Sequence, residues 1–92
     1  MTTARLAKLQ EHRREIGITA SRLAEVSGIH RNTIGKIDKG GRVRIGIVHK
    51  LLESLHERSP PYYKPILAAE AQALGLDLTA LSEGEQKTED LL

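Results

Sequence analysis

Apolar residues recur at steps of three and four along most of the chain, and the pattern is punctuated by glycine and proline. Leu6, Leu9, Arg13 and Ile16 share one face of a helix predicted over residues 5–16, which Gly17 stops as a C-cap. Thr19 is a suitable N-cap for a second helix, although Arg22 stands where a full capping box has Glu or Gln. Leu23, Ala24 and Ser27 face inward on it, and Gly28 supplies the turn that follows, because a positive φ is cheapest for glycine. A third helix runs from residue 30 or 31 to 39, with Ile34 and Ile37 as its buried side and Gly40-Gly41 as its end. A fourth covers 47–57 with the stripe Val48, Leu51, Leu52 and Leu55, and Ser59-Pro60-Pro61 breaks it. A fifth covers 62–74 with Tyr63, Leu67, Ala71 and Leu74 in register, while Leu76, Leu78 and Leu81 suit a short further turn or helix. The polar, acidic stretch that closes the chain reads as a frayed or disordered tail. No strand, repeat or low-complexity tract is expected.

This pattern predicts an all-α fold. Composition narrows it: 92 residues suit one small domain, and with two Tyr, no Phe and no Trp the core must be aliphatic. The absence of cysteine excludes disulfides and thiolate metal sites. No apolar run approaches the roughly 18 residues of a spanning helix, and the charged, amphipathic start is unlike a secretory signal. A cytoplasmic protein, away from the membrane, is the expectation.

Charge is unevenly spread. Residues 1–58 carry 12 Lys/Arg against 6 Asp/Glu, whereas residues 59–92 carry 2 against 6. A basic front and an acidic rear fit a front that meets a polyanion, though ordinary surface charge gives the same arithmetic. The third helix sharpens the first reading. Arg31, Asn32 and Lys36 lie away from Ile34 and Ile37, at the leading end of the helix. Arg can bind guanine O6 and N7 bidentately, and Asn can do the same to adenine N6 and N7. His30 and Thr33 flank them and suit phosphate or thymine-methyl contacts. Taken alone, three polar residues on a helix are a solvated face; it is the surrounding motif that favours base reading.

That motif resembles the Xre/Cro family of helix-turn-helix repressors over residues 6–55. The matches are Arg13 and Glu15 before Gly17-Ile18-Thr19, Leu23-Ala24 in the second helix, Gly28-Ile29 in the turn, Thr33-Ile34 in the third helix, Ile37-Asp38-Lys39-Gly40 closing the unit, and Leu51, Leu52 and Leu55 in the fourth helix. The resemblance implies an all-α, five-helix, lambda-repressor-like fold with a helix-turn-helix DNA-binding domain at 1–58. A C-terminal helical segment at 59–82 would complete the core and dimerise, and a tail would follow at 83–92. It implies that Arg31, Asn32 and Lys36 read bases in double-stranded DNA, and that His30 and Thr33 touch a base edge or phosphate. Thr19 and Ala20 fall where the family sits over the phosphate backbone, and Lys39, Arg42 and Arg44 fall in or beside a phosphate-gripping loop. Arg13 and Asp38 fall on a structural ion pair between the first and third helices. Three departures stand out: Ala20 replaces a frequent Gln, Gly35 lies inside the reading helix, and Ile45-Gly46 replace the polar N-cap and proline common before the fourth helix. Gly35 either permits close approach to a duplex or is neutral drift.

The function implied is a nucleoid-associated transcriptional regulator, a repressor binding an inverted repeat as a homodimer and capable of autoregulation. Two other readings stand beside it: an antitoxin whose acidic rear grips a basic toxin while it represses its own operon, and a protein-binding adaptor without DNA affinity. Activation through RNA polymerase rests on Glu25 alone. His12, His30, His49 and His56 raise the question of a metal, but no cysteine or carboxylate completes a ligand set, so none is expected. Nothing forms a nucleophile–base pair or a phosphate loop; Ser21, Ser27 and Ser54 read as ordinary helix residues. Neither enzyme activity nor a cofactor is expected.

Overall fold

The computed structural model describes residues 2–78, and the stretch is mostly helical. In chain order the elements are β1 (Thr3–Ala4), α1 (Leu9–Ile16), α2 (Ala20–Ser27), α3 (Arg31–Asp38), β2 (Val43–Arg44), α4 (Ile45–Arg58) and α5 (Lys64–Ala73). The longest helix, α4, is the hub. It touches α1, α2, α5 and both strands, and its inward stripe of Val48, Leu51, Leu52 and Leu55 is fully buried. Leu6, Leu9, Leu23, Ile34, Ile37, Tyr63, Leu67, Ala71 and Leu78 join the same buried cluster. Residues on both sides of Ser59 thus share one core, which the near absence of aromatics leaves to Leu, Ile and Val.

Each helix boundary has a local cause. The Thr19 hydroxyl accepts the Arg22 N–H at 3.1 Å, capping α2, and Gly28 adopts φ +75° to close it. Buried Ser27 then accepts the Ile29 N–H at 3.2 Å, which tightens the turn into α3. At the end of α4, the Ser59 hydroxyl and the Lys64 ammonium both donate to the His56 carbonyl, at 2.8 and 2.6 Å. This satisfies a helix-terminal acceptor and sets the corner through Pro60 into α5.

Several sequence expectations need correction. A strand pair exists where none was expected: β1 and β2 run antiparallel, with Thr3 opposite Arg44 and Ala4 opposite Val43. The first helix starts at Leu9, not at residue 5, because Ala4 and Leu6 enter the core from the strand and the turn after it. The fourth helix starts two residues early, at Ile45, whose N–H donates to the Thr2 carbonyl at 3.0 Å in place of the missing polar cap. Residues 76–78 are not helical, although Leu78 is buried. Leu81 and the tail at 83–92 lie outside the described residues. Among the described residues, no helix is long and apolar enough to cross a membrane.

His12 was not on the expected stripe, yet it is only 2 % exposed, and its Nδ1 lies 2.7 Å from the Tyr63 hydroxyl. The ring stands edge-on to Tyr63, tying α1 to the entry of α5. Its Nε2 has no hydrogen-bond partner among the described residues. Burial therefore pushes the His12 pKa below its ordinary 6.5, against the pull of Glu70 and Glu11 and with help from Lys8. Burial and Lys64 lower His56 as well, while burial and nearby carboxylates raise Tyr63. The unfolded chain then binds protons that the folded chain refuses. Stability is full above the unfolded value of 6.5 and falls as pH drops through and below it. Melting at pH 7.5 and 5.5 should show a lower midpoint in acid, with a smaller drop in His12→Gln. Equal drops in the two proteins would contradict the assignment.

Candidate nucleic-acid interface

Three short segments shape one face of the molecule: the N-terminus of α2, the outer side of α3 and the glycine turn after it. Ala20, Arg31, Asn32, Gly35, Lys36 and Lys39 line a single open hollow of about 610 Å³. Ile34 and Ile37 anchor α3 from beneath at 0 % and 1 % exposure, so its opposite side must face out. Arg31, Asn32, Lys36 and Lys39 are all exposed there. No hydrogen bond among the described residues uses the side chain of Asn32, Lys36 or Lys39, and Arg31 reaches only Ser21, at 3.5 Å. The hollow is therefore lined by three cations and an amide with hydrogen-bonding capacity to spare, and no acidic side chain lines it.

The turn after α3 is built by its glycines. Gly40 takes φ +88°, and the Gly40 and Gly41 N–H groups donate to the carbonyls of Ile37 and Lys36. These are the paired bonds of a Schellman ending. A Cβ at Gly41 would fall 2.6 Å from Lys36 Cγ and 2.8 Å from its carbonyl oxygen, so only glycine lets the chain fold back over the Lys36 stem. Gly35 differs: a Cβ there meets nothing within 4 Å. No intramolecular packing explains a glycine at a position where Ala would favour the helix by about 0.8–1 kcal/mol.

The other sequence-identified residues are distributed around this hollow. His30 caps α3, its Nδ1 accepting the Asn32 N–H at 3.0 Å. Thr33 is half-buried at the edge of the helix. Thr19 is exposed, with its hydroxyl spent on the α2 cap. Arg44 lies outside the hollow, in a second one lined by Thr2, Ile29, Ile45, Gly46, Ile47 and Lys50. Arg42 is exposed but engaged with Thr3. Arg13 and Asp38 meet at 2.8 Å, each side chain about one-seventh exposed, joining α1 to the last residue of α3.

One residue, Lys50, and one role, the His30 cap, escaped the sequence reading. Lys50 shares the hollow with Arg44, which only the early start of α4 reveals. His30 serves as a cap, although it is not among the usual Ser, Thr, Asp and Asn. No family model matches the chain, and neither does any curated protein or solved structure.

Proposed function

We propose that this chain is a lambda-repressor-like, helix-turn-helix DNA-binding domain of the Xre/Cro type, acting as a transcriptional repressor. The observation that carries the proposal is the hollow over α3, where Arg31, Asn32, Lys36 and Lys39 stand together beside the start of α2 with hydrogen-bonding capacity to spare. An α-helix with such a face fits the major groove, and the cations beside it fit the phosphates that flank the groove. In this reading Arg31, Asn32 and Lys36 contact base edges, and Thr33 and His30 contact a base edge or a phosphate. Lys39 and Arg44 hold phosphates, and the α2 N-terminus at Thr19 and Ala20 lies against the backbone.

The repressor acts as a homodimer on an inverted repeat. Tyr62 and Ile66 are the large apolar side chains left exposed among the described residues, at 69 % and 48 %. They border a hollow between α1 and α5 that carries both signs of charge, Lys8 and Arg14 with Glu11, Glu15 and Glu70. An apolar pair ringed by both signs suits a twofold contact, in which each patch meets its own copy. A bound dimer excludes polymerase from a promoter by occupancy.

Phosphate contacts release counterions, so binding falls steeply with salt. Lys39→Ala and Arg44→Ala should each weaken binding to every sequence and flatten the log–log salt slope by about one unit. Gel-shift titration of unrelated duplexes at several salt concentrations measures this. Wild-type slopes in both variants would remove the two residues from the interface. A wild-type chain without salt-sensitive binding would leave the adaptor reading in its place.

A further inference from the structure

Arg42 does not extend freely toward solvent. Its Nε donates to the Thr3 hydroxyl at 3.2 Å, and one terminal nitrogen donates to the Thr3 carbonyl at 3.0 Å. One residue earlier, the Thr2 carbonyl accepts the Ile45 N–H at 3.0 Å, at the start of α4, where no side chain caps the helix. Between these ties, Thr3 and Ala4 pair with Arg44 and Val43. The N-terminal strand is itself anchored, with Ala4 and Leu6 at 7 % and 0 % exposure.

The register of this short pairing decides what the segment after α3 presents. Val43 is buried and Arg44 is exposed. Side chains alternate along a strand, so a slip of one residue would turn Arg44 inward and Val43 outward. A two-residue ladder has few bonds with which to resist such a slip. The Arg42 fork and the Thr2 cap add three more, on either side of the pair that matters.

We infer that residues 2–4 form a clip that positions the DNA-gripping segment, and that Arg42 and Thr3 are positioning residues of that clip rather than phosphate ligands. The inference rests on the DNA-binding reading above. Arg42 acts through the strand: its planar fork satisfies two acceptors at once, which an ammonium cannot do with the same geometry. The clip holds Arg44 outward and keeps the first turn of α4 closed.

Two charge-neutral substitutions test this. Thr3→Val keeps the branched, strand-favouring shape and loses the hydroxyl; Arg42→Lys keeps the charge and loses the fork. Both should weaken binding to unrelated duplexes by about three- to tenfold. Both should also give a shallower salt slope although no charge has been removed, a change that loss of stability alone does not produce. In the free protein, hydrogen exchange at the Ile45 amide should accelerate in both. If affinity and slope stay at wild-type values, the clip has no role in the grip, whether or not exchange changes. If exchange at Ile45 is unchanged, the clip itself is wrong. A wild-type chain that binds no duplex removes the DNA-binding reading and this inference with it, and the exchange measurement still reports on the clip alone.

Discussion

Asp38→Ala should lower stability by about 3 kcal/mol, which in a domain of this size moves the melting midpoint down by more than ~10 °C. Arg13 and Asp38 sit 2.8 Å apart, with side chains only 14 % and 13 % exposed. The contact runs from a terminal Arg13 nitrogen to Asp38 Oδ2, and Arg13 Nε and Asp38 Oδ1 have no hydrogen-bond partner among the described residues, so this one contact is each group's main compensation for leaving water. Removing the carboxylate strands a guanidinium between α1 and α3. Removing both charges together, as in Arg13→Met with Asp38→Leu, should cost less than the two alanine substitutions summed, because no ion is left unpaired. Thermal and urea unfolding of the single and double variants would show this. Equal midpoints for Asp38→Ala and wild type would contradict it. The pair bears on the proposed function because Asp38 is the last residue of α3, so the ion pair ties the end of that helix to α1.

Arg31→Ala and Asn32→Ala should leave the fold intact and change what the protein reads. Both side chains are exposed. The His30 cap uses the backbone N–H of Asn32, which alanine retains, and the long Arg31–Ser21 contact contributes little. A bidentate contact to guanine or adenine discriminates by about 1–3 kcal/mol, so each variant should lose roughly fivefold to over a hundredfold of preference at particular positions. Binding to unrelated DNA should weaken far less in Asn32→Ala, which removes no charge. Selection of bound sites with each variant is the measurement, and a motif unchanged from wild type would remove that residue from base reading. This outcome differs in kind from that of Lys39→Ala and Arg44→Ala, which should weaken all sequences alike.

Much of the helical framework could be read from the chain because it rests on periodicity. The stripe on α4 runs two turns from Val48 to Leu55, those on α2 and α3 pair buried residues four and three apart, and the glycines that close α2 and α3 act locally, as Gly28 and Gly40 do. The features missed in the sequence depend on partners far along the chain. β1 and β2 have two residues each, too few to show alternation, and their pairing joins Thr3 to Arg44. The Thr2 carbonyl that caps α4 lies more than forty residues away from Ile45. His12 reads as polar beside the stripe of Leu9 and Ile16, and only the distant Tyr63 hydroxyl makes its burial tolerable. For the candidate site, the exposed face of Arg31, Asn32 and Lys36 follows from the spacing of Ile34 and Ile37. That Ala20 and Lys39 border the same hollow depends on how α2 packs on α3. The engagement of Arg42 with Thr3, and the company Lys50 keeps with Arg44, depend on the strand pair and were hidden with it.

Selection of bound sites from random double-stranded DNA by the wild-type chain tests the DNA-reading proposal most directly. The account predicts enrichment of a short inverted repeat, with half-sites centred about one helical turn apart, roughly 34 Å, and binding that declines steeply with salt. A pool that stays random through successive rounds would contradict it.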